Sequence, residues 1–199
     1  MHLFFSTPIW TDEIENYKNL NESLSQYIFS EKNNDPQGDK KSNISGWHSK
    51  HFNLQNESIK NFIKSINPKI GGAISDMGWD IKNQTVKITN MWSIINKQNS
   101  FNERHHHGNS ALSAAYYVKA DKDSGNIVFY DPRPAFTFSH PDNSHVNDLN
   151  AQIKSITPKS GMLILFPSYL EHSVEPSKSD QDRIVISFNI SLIRNRFLV

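Results

Sequence analysis

The hydrophobic period of this chain changes once, near residue 84, and that change restricts the folds open to it more than any overall property. Before it, apolar residues recur at helical spacing, first as Ile14, Tyr17, Leu24, Tyr27 and Ile28, then as Ile59, Phe62, Ile63 and Ile66. After it come stretches rich in β-branched and aromatic residues at 85–96, 111–118, 125–130, 152–156, 161–166 and 182–193, separated by Gly, Pro and Asn turns. Two helices followed by at least six strands predict helices packed on one side of a largely antiparallel sheet system. No sharp shift of composition divides the chain and no repeat is present. It therefore reads as one domain over residues 1–199, with a helical part at about 12–80 and a β core at about 84–193.

Local signals set the expected boundaries. A short strand is expected from Leu3 to Trp10, broken by Pro8, with Thr11 or Asp12 capping a helix that ends near Ser30. Residues 31–45 are polar and hold Pro36 and Gly38, a surface loop that Trp47 is expected to anchor against the body. Asn56 can cap the second helix, and Pro68 is expected to interrupt it, leaving one or two further turns before Gly78. Gly125 lies in a tight turn from Asp121 to Asn126, and the loop from Pro134 to Asp148 is long enough to be functional.

Composition removes several classes of function. With 21 Lys+Arg against 20 Asp+Glu there is no broad basic field, so neither nucleic acid nor an anionic membrane surface is implied by charge. There is no cysteine, which excludes disulfides, thiolate ligands and cysteine nucleophiles, and leaves His and carboxylates to hold any metal. The N-terminus lacks a basic region before Asp12 and Glu13, and no stretch approaches the roughly 18 apolar residues of a membrane span. A cytoplasmic protein is the expectation, with a homodimer left open.

The chemistry concentrates in NERHHHGNSALSAAYYV, residues 102–118. In an extended segment residues two apart face the same way, so His105 and His107 can converge while His106 points away. His172, in the stretch FPSYLEHSVEP, is the candidate third imidazole. Neutral imidazoles suit iron, zinc, copper or nickel and leave positions open for substrate or oxygen. Taken singly, the histidine run can also be a solvated turn, and His172 a strand-edge cap. On the strand RIVISFNISL, Arg183, Val185, Ser187 and Asn189 share a face opposite Ile184, Ile186, Phe188 and Ile190. An arginine on such a polar face supplies a rigid fork for a carboxylate, unless it pairs at the surface with Asp180 or Asp182.

The segments LFFSTPIW, MW at 91–92, HHHGNSALSAAYYV, SGNIVFYDPRP, TPKSGMLILFPSYLEHSV and RIVISFN cover nearly the whole chain in order. Together they resemble the non-haem iron, 2-oxoglutarate-dependent oxygenases, and within them a compact branch of bacterial and phage proteins with an H-x-H metal motif. The resemblance implies a mainly β fold with flanking α: a double-stranded β-helix, or cupin-like jelly roll, with the N-terminal helices packed on the major sheet. It also implies Fe(II) held by His105, His107 and His172, with Arg183 gripping the far carboxylate of 2-oxoglutarate. His107 stands where the wider superfamily carries an Asp or Glu, so the ion would be more positive, and Asp131 is a nearby acid that can compensate unless it merely forms the turn before Pro132. Asn90 or Tyr116 is expected to donate to the cosubstrate, whereas Trp92 and Tyr117 suit core packing at least as well. Phe129, Arg133 and the loop 134–148 are candidates for the substrate entrance.

The implied activity is hydroxylation of a small-molecule or peptidyl substrate with release of succinate and CO2. Two rivals stay open: a three-histidine cupin-like dioxygenase that needs no 2-oxoglutarate, and a metal-stiffened binding or assembly module. Arg183 argues against the second, because a structural site needs no cationic fork and is normally closed by four protein ligands.

Overall fold

The computed structural model describes residues 2, 4–133 and 141–195. Leu3 and the first half of the loop expected from Pro134 to Asp148 lie outside the described residues.

Two antiparallel sheets face each other. One has six strands in the order β1 (Trp10–Glu13), β9 (Met162–Pro167), β6 (Leu112–Lys119), β11 (Arg183–Arg194), β4 (Gln84–Asn96) and β3 (Trp47–His48). The other has five, in the order β2 (Asn43–Ile44), β5 (Phe101–His105), β10 (His172–Val174), β7 (Ile127–Tyr130) and β8 (Ile153–Ile156). The helices α1 (Tyr17–Asn34) and α2 (Glu57–Asp76) cover the outer face of the six-stranded sheet.

That sheet is buried on both sides, and this is why β6 and β9 read as continuous apolar runs rather than alternating ones. Its helix-facing side carries Leu112, Ala114, Tyr116, Leu163, Leu165, Ile184, Ile186, Phe188 and Ile190, packed on Leu24, Ile28, Ile59, Phe62 and Ile66. The inner side forms a second cluster with the smaller sheet, through Ala115, Tyr117, Ile164, Phe166 and Val185 against Ile127 and Phe129. Burying both faces of a central sheet concentrates the hydrophobic driving force there and fixes its register, since a one-residue slip would exchange the faces.

Some expected boundaries move. The residues expected to cap the first helix belong instead to β1, where Thr11 and Asp12 pair with Ile164 and Leu163. The edge of β9 offers unpaired backbone groups, and satisfying them outweighs a local capping preference. The helix then starts after Asn16, which sits at φ 54°, and runs to Asn34 rather than Ser30. Pro68 does not end α2, which continues to Asp76. Burial of Ile66, Ile70, Ala73 and Ile74 on the sheet offsets the lost backbone hydrogen bond. Asn56 caps α2 as expected, its Oδ1 accepting from the Ser58 N–H at 2.9 Å. Trp47 also anchors its loop, donating Nε1–H to the Asp35 carbonyl at 2.9 Å.

Candidate metal centre and its cavity

Two strands of the smaller sheet bring the first pair of imidazoles together. His172, the first residue of β10, is in direct register with His105, the last residue of β5. Opposed residues of an antiparallel pair hold their side chains close on one face, and these ring centroids are 4.4 Å apart. His107 lies beyond the end of β5, so the histidine run is not one continuous strand with β6. Its N–H donates to the Ser168 carbonyl at 2.9 Å, tying it to the turn that delivers His172. The ring of His107 is 5.1 Å from His105 and 5.2 Å from His172. His106 is exposed to solvent.

The nitrogens that these three rings can offer lie within 4.8 Å of one another. His105 Nδ1 is 2.6 Å from the Glu103 carbonyl and His172 Nδ1 is 3.0 Å from the Leu170 carbonyl. A carbonyl can only accept, so each Nδ1 carries the proton and each Nε2 keeps its lone pair, the arrangement a metal ligand needs. Burial, reinforced by the neighbouring imidazoles, lowers the pKa of His107 to about 4 and that of His172 to about 3. Burial lowers His105 as well. The three rings are therefore neutral near pH 7 and fit a divalent ion that takes imidazole ligands.

The triad lines an open-mouthed cavity of about 310 Å³ between the two sheets. Arg183, Val185, Ser187 and Asn189 line it from β11, on the face expected from the alternation. Arg183 is 2% exposed and has no carboxylate partner among the described residues, so Asp180 and Asp182 do not pair with it. Its Nη1 donates to the carbonyls of Ser124 at 2.5 Å and Gly125 at 3.2 Å. Gly125 has a φ of 84°, and a Cβ there would lie 2.3 Å from the Glu175 carbonyl oxygen and 3.2 Å from Arg183 Nη1. Only glycine lets this turn approach the guanidinium so closely. Burial pushes the Arg183 pKa down. The nearby phenol of Tyr117, itself raised to about 12 by burial, is neutral and brings no full countercharge.

The structure redistributes the other candidates. Asn90 lines the cavity, in register with Asn189. Tyr116 does not: its ring packs on Phe62 on the helix side and its hydroxyl donates to Asn21 Oδ1 at 2.6 Å. Tyr117 is the tyrosine that lines the cavity. The turn between His107 and Leu112 breaks the alternation, so phase cannot be counted from the histidines into β6. Asp131 does not approach the histidines. It pairs with Arg133 at 2.7 Å and accepts the Arg133 backbone N–H at 2.9 Å, closing the turn around Pro132. Both line a separate surface depression, and Phe129 packs on Phe166 in the core rather than at an entrance.

Sequence reasoning missed His48, His51 and Lys41, which line the cavity with Trp92. The two histidines stand three apart in WHSKH, a signal masked by reading that segment only as the setting of Trp47. Trp92 stacks on His48 at 5.8 Å with 13° between the planes, and its ring is 5.6 Å from His107.

Comparisons with known proteins agree with this geometry. A family profile described as "Putative 2OG-Fe(II) oxygenase" matches residues 90–189, which include all three histidines and Arg183. No curated protein matches in sequence. Among solved structures, a Pseudomonas putida prolyl-4-hydroxylase superposes with a TM-score of 0.65 at 12% identity, covering 96% of this chain and 94% of that one. A Trichoplax adhaerens prolyl hydroxylase, solved with a peptide fragment of the hypoxia inducible factor oxygen degradation domain, gives 0.65 at 12% identity over 94% and 84%. HygX from Streptomyces hygroscopicus, with nickel and 2-oxoglutarate bound, gives 0.62 at 12% identity over 93% and 82%. The shared architecture is the double-stranded β-helix.

Proposed function

The chain belongs to the 2OG-Fe(II) oxygenase family, and from that premise we propose that it works as a single oxygenase domain hydroxylating a small-molecule or peptidyl substrate. Fe(II) is held by His105, His107 and His172, and 2-oxoglutarate is clamped by Arg183. When bound, the ion with O2 and 2-oxoglutarate supplies the oxidation of a C–H bond, with succinate and CO2 as coproducts.

The observation that carries this reading is Arg183. A guanidinium 2% exposed, in a cavity shared with three neutral imidazoles and with no carboxylate partner among the described residues, is expensive to maintain unless an anion occupies its open side. The Ser124 and Gly125 carbonyls hold one edge of the fork and leave the rest for a ligand carboxylate. Tyr117 lines the same cavity and its neutral phenol can donate to that carboxylate. Asn90 offers an amide from the neighbouring strand β4, in register with Asn189. The apolar side chains of Ile127, Phe166, Val174 and Val185 exclude water around these groups. Hydroxylation is the activity of the two prolyl hydroxylases that share the fold, and this favours it here.

The experiment is an anaerobic titration of 2-oxoglutarate into Fe(II)-loaded protein, followed by the metal-to-ligand absorption band of a chelated 2-oxo acid. Arg183→Ala should weaken binding roughly 30-fold or more, in line with the ~2–5 kcal/mol lost when one partner of a buried charge pair is truncated. Arg183→Lys should recover only part, since it restores charge without the fork. The all-imidazole ligand set supports a second reading, a dioxygenase that needs no 2-oxoglutarate and in which Arg183 grips the substrate itself. Full metal occupancy with no band in wild type would select it.

A further inference from the structure

The cavity face of β11 runs on past the histidines to an amide, Asn189, that neither the metal nor Arg183 uses. Asn189 is 6% exposed and lines the cavity. Its Oδ1 accepts from Ser113 Oγ at 2.8 Å, and Ser113 Oγ lies 3.2 Å from Ser168 Oγ, both serines being buried. The Ser168 carbonyl in turn accepts the backbone N–H of His107 at 2.9 Å. Asn189 is therefore fixed from behind by the turn that sets the metal site. Its Nδ2 has no acceptor among the described residues and is not sealed by protein, so its protons open onto the cavity. A buried amide donor left unmade forfeits its desolvation free energy, which a ligand oxygen would restore.

The position along the strand tells which ligand that is. Ser187 comes four residues after Arg183, in register with Trp92, whose ring is 5.6 Å from His107. Asn189 comes two residues later, in register with Asn90 and roughly 20 Å from Arg183 at the rise of a strand. A five-carbon diacid clamped at Arg183 and directed at the histidines does not extend that far. Opposed residues of an antiparallel pair hold their side chains close, so the Asn90 amide reaches the same ligand group as Asn189. Asn90 Oδ1 has only a 3.4 Å contact from Thr89 Oγ1, and its Nδ2 has no acceptor among the described residues. Asn90 is half-buried, which puts this end of the wall on the solvent side, whereas Arg183 is 2% exposed.

We infer that Asn189, with Asn90 beside it, determines specificity by taking the carbonyl oxygen of a neutral amide on the substrate, a peptide bond or a lactam. The inference rests on the functional reading above and adds the chemical class of the substrate. It also assigns Asn90 to the substrate rather than to the cosubstrate. Neither amide carries a charge that offsets the desolvation of an anion, so the acceptor they suit is a neutral carbonyl. The N–H of a substrate amide finds Asn90 Oδ1 still open beside it. With its oxygen held by Asn189, on the far side of the histidines from Arg183, the substrate is presented to the metal site between them.

The test uses the whole chain, labelled with 15N and loaded with Zn(II), a non-turnover stand-in for iron, with and without 2-oxoglutarate. The side-chain amide resonance of Asn189 is assigned by its loss in Asn189→Asp, which keeps the shape and replaces the donor by an acceptor. Asn189→Ser, which brings no charge, is read in parallel. The probes are N-acetylalanine methylamide, 2-pyrrolidinone, butyrate, and pyrrolidine, which has the same ring as the lactam without its carbonyl. At least one of the two amides should shift the Asn189 resonance at a concentration about fivefold or more below butyrate and pyrrolidine, as a buried donor left unmade predicts. The more potent amide tells a peptide-like substrate from a cyclic one. Followed by backbone resonances, both Asn189 variants should raise the concentration required about fivefold or more, and Ser113→Ala, which frees the amide to turn, about twofold to fivefold. An equal or stronger response to butyrate or pyrrolidine, an amide response unaltered in these variants, no response to any probe, or displacement of the amide by saturating 2-oxoglutarate would overturn the proposal. Binding of 2-oxoglutarate is measured in the same samples by calorimetry. Its absence would count against the functional reading, while the titrations without it would still decide the amide preference of Asn189.

Discussion

The two faces of β11 divide the labour of this fold along a single strand. Ile184, Ile186, Phe188 and Ile190 face the helices in a closed apolar core, while Arg183, Val185, Ser187 and Asn189 face the cavity. The first face gains stability from contact with α1 and α2. The second keeps a buried cation with no carboxylate partner among the described residues, which is costly to desolvate. Packing on one face thus supports a costly arrangement on the other, and the two should respond to substitution in different observables.

The largest effect should come from the metal site, where His172→Ala removes a ligand without touching the helix-side core. Metal affinity should fall by at least about 100-fold, exceeding the 10–100-fold typical of losing a group that only supports a ligand. His106→Ala, at the exposed neighbour of two ligands, should bind metal as wild type does. Calorimetric metal titrations of the two variants make the comparison, and comparable losses would show the ligand assignment to be wrong.

A different observable distinguishes adjacent residues of the strand. Phe188→Ala, at a fully buried site against Phe62, should destabilise the chain by about 3–5 kcal/mol. Ser187→Ala, on the cavity face, should change stability by about 0.5 kcal/mol or less. Urea unfolding of both metal-free variants tests the contrast, and similar losses would mean that the cavity face bears as much packing as the core.

A further effect is expected from pH. His107 and His172 titrate near 4 and 3 when folded, against about 6.5 for an ordinary imidazole. Between those values the unfolded chain binds more protons, so stability rises with pH. This contribution is fully present above about 6.5 and is lost as pH falls toward 4. The urea midpoint of metal-free wild type should drop between pH 7 and pH 5, and drop less in His172→Asn. Parallel declines would indicate that protons on other groups govern the acid sensitivity.

How much of this was legible in the chain follows from how local each signal is. The alternation in RIVISFNISL placed Arg183 on the cavity face, because one polar and one apolar face leave a strand no second choice of orientation. In SALSAAYYV both faces are buried, so nothing marks which tyrosine turns inward. It is Tyr117 that lines the cavity, while the Tyr116 hydroxyl donates to Asn21 on the helix side. The N-terminus went the same way: Thr11 and Asp12 look like caps locally, but the edge of β9 claims them for β1.

The chain alone determined the switch from helical to strand period, the pairing of His105 with His107 by spacing, and the polar face of the last strand. These depend on residues within a few positions of one another. Only tertiary structure decided that Asp131 is occupied by Arg133 and that the Ser124–Gly125 turn carries Arg183. It likewise brought His48, His51 and Trp92 to the same cavity as the triad. Those associations join segments 40 or more residues apart, or depend on which of two nearby partners an ion meets first. Periodicity holds no record of either, because burial and charge pairing are settled only when the sheets close on each other.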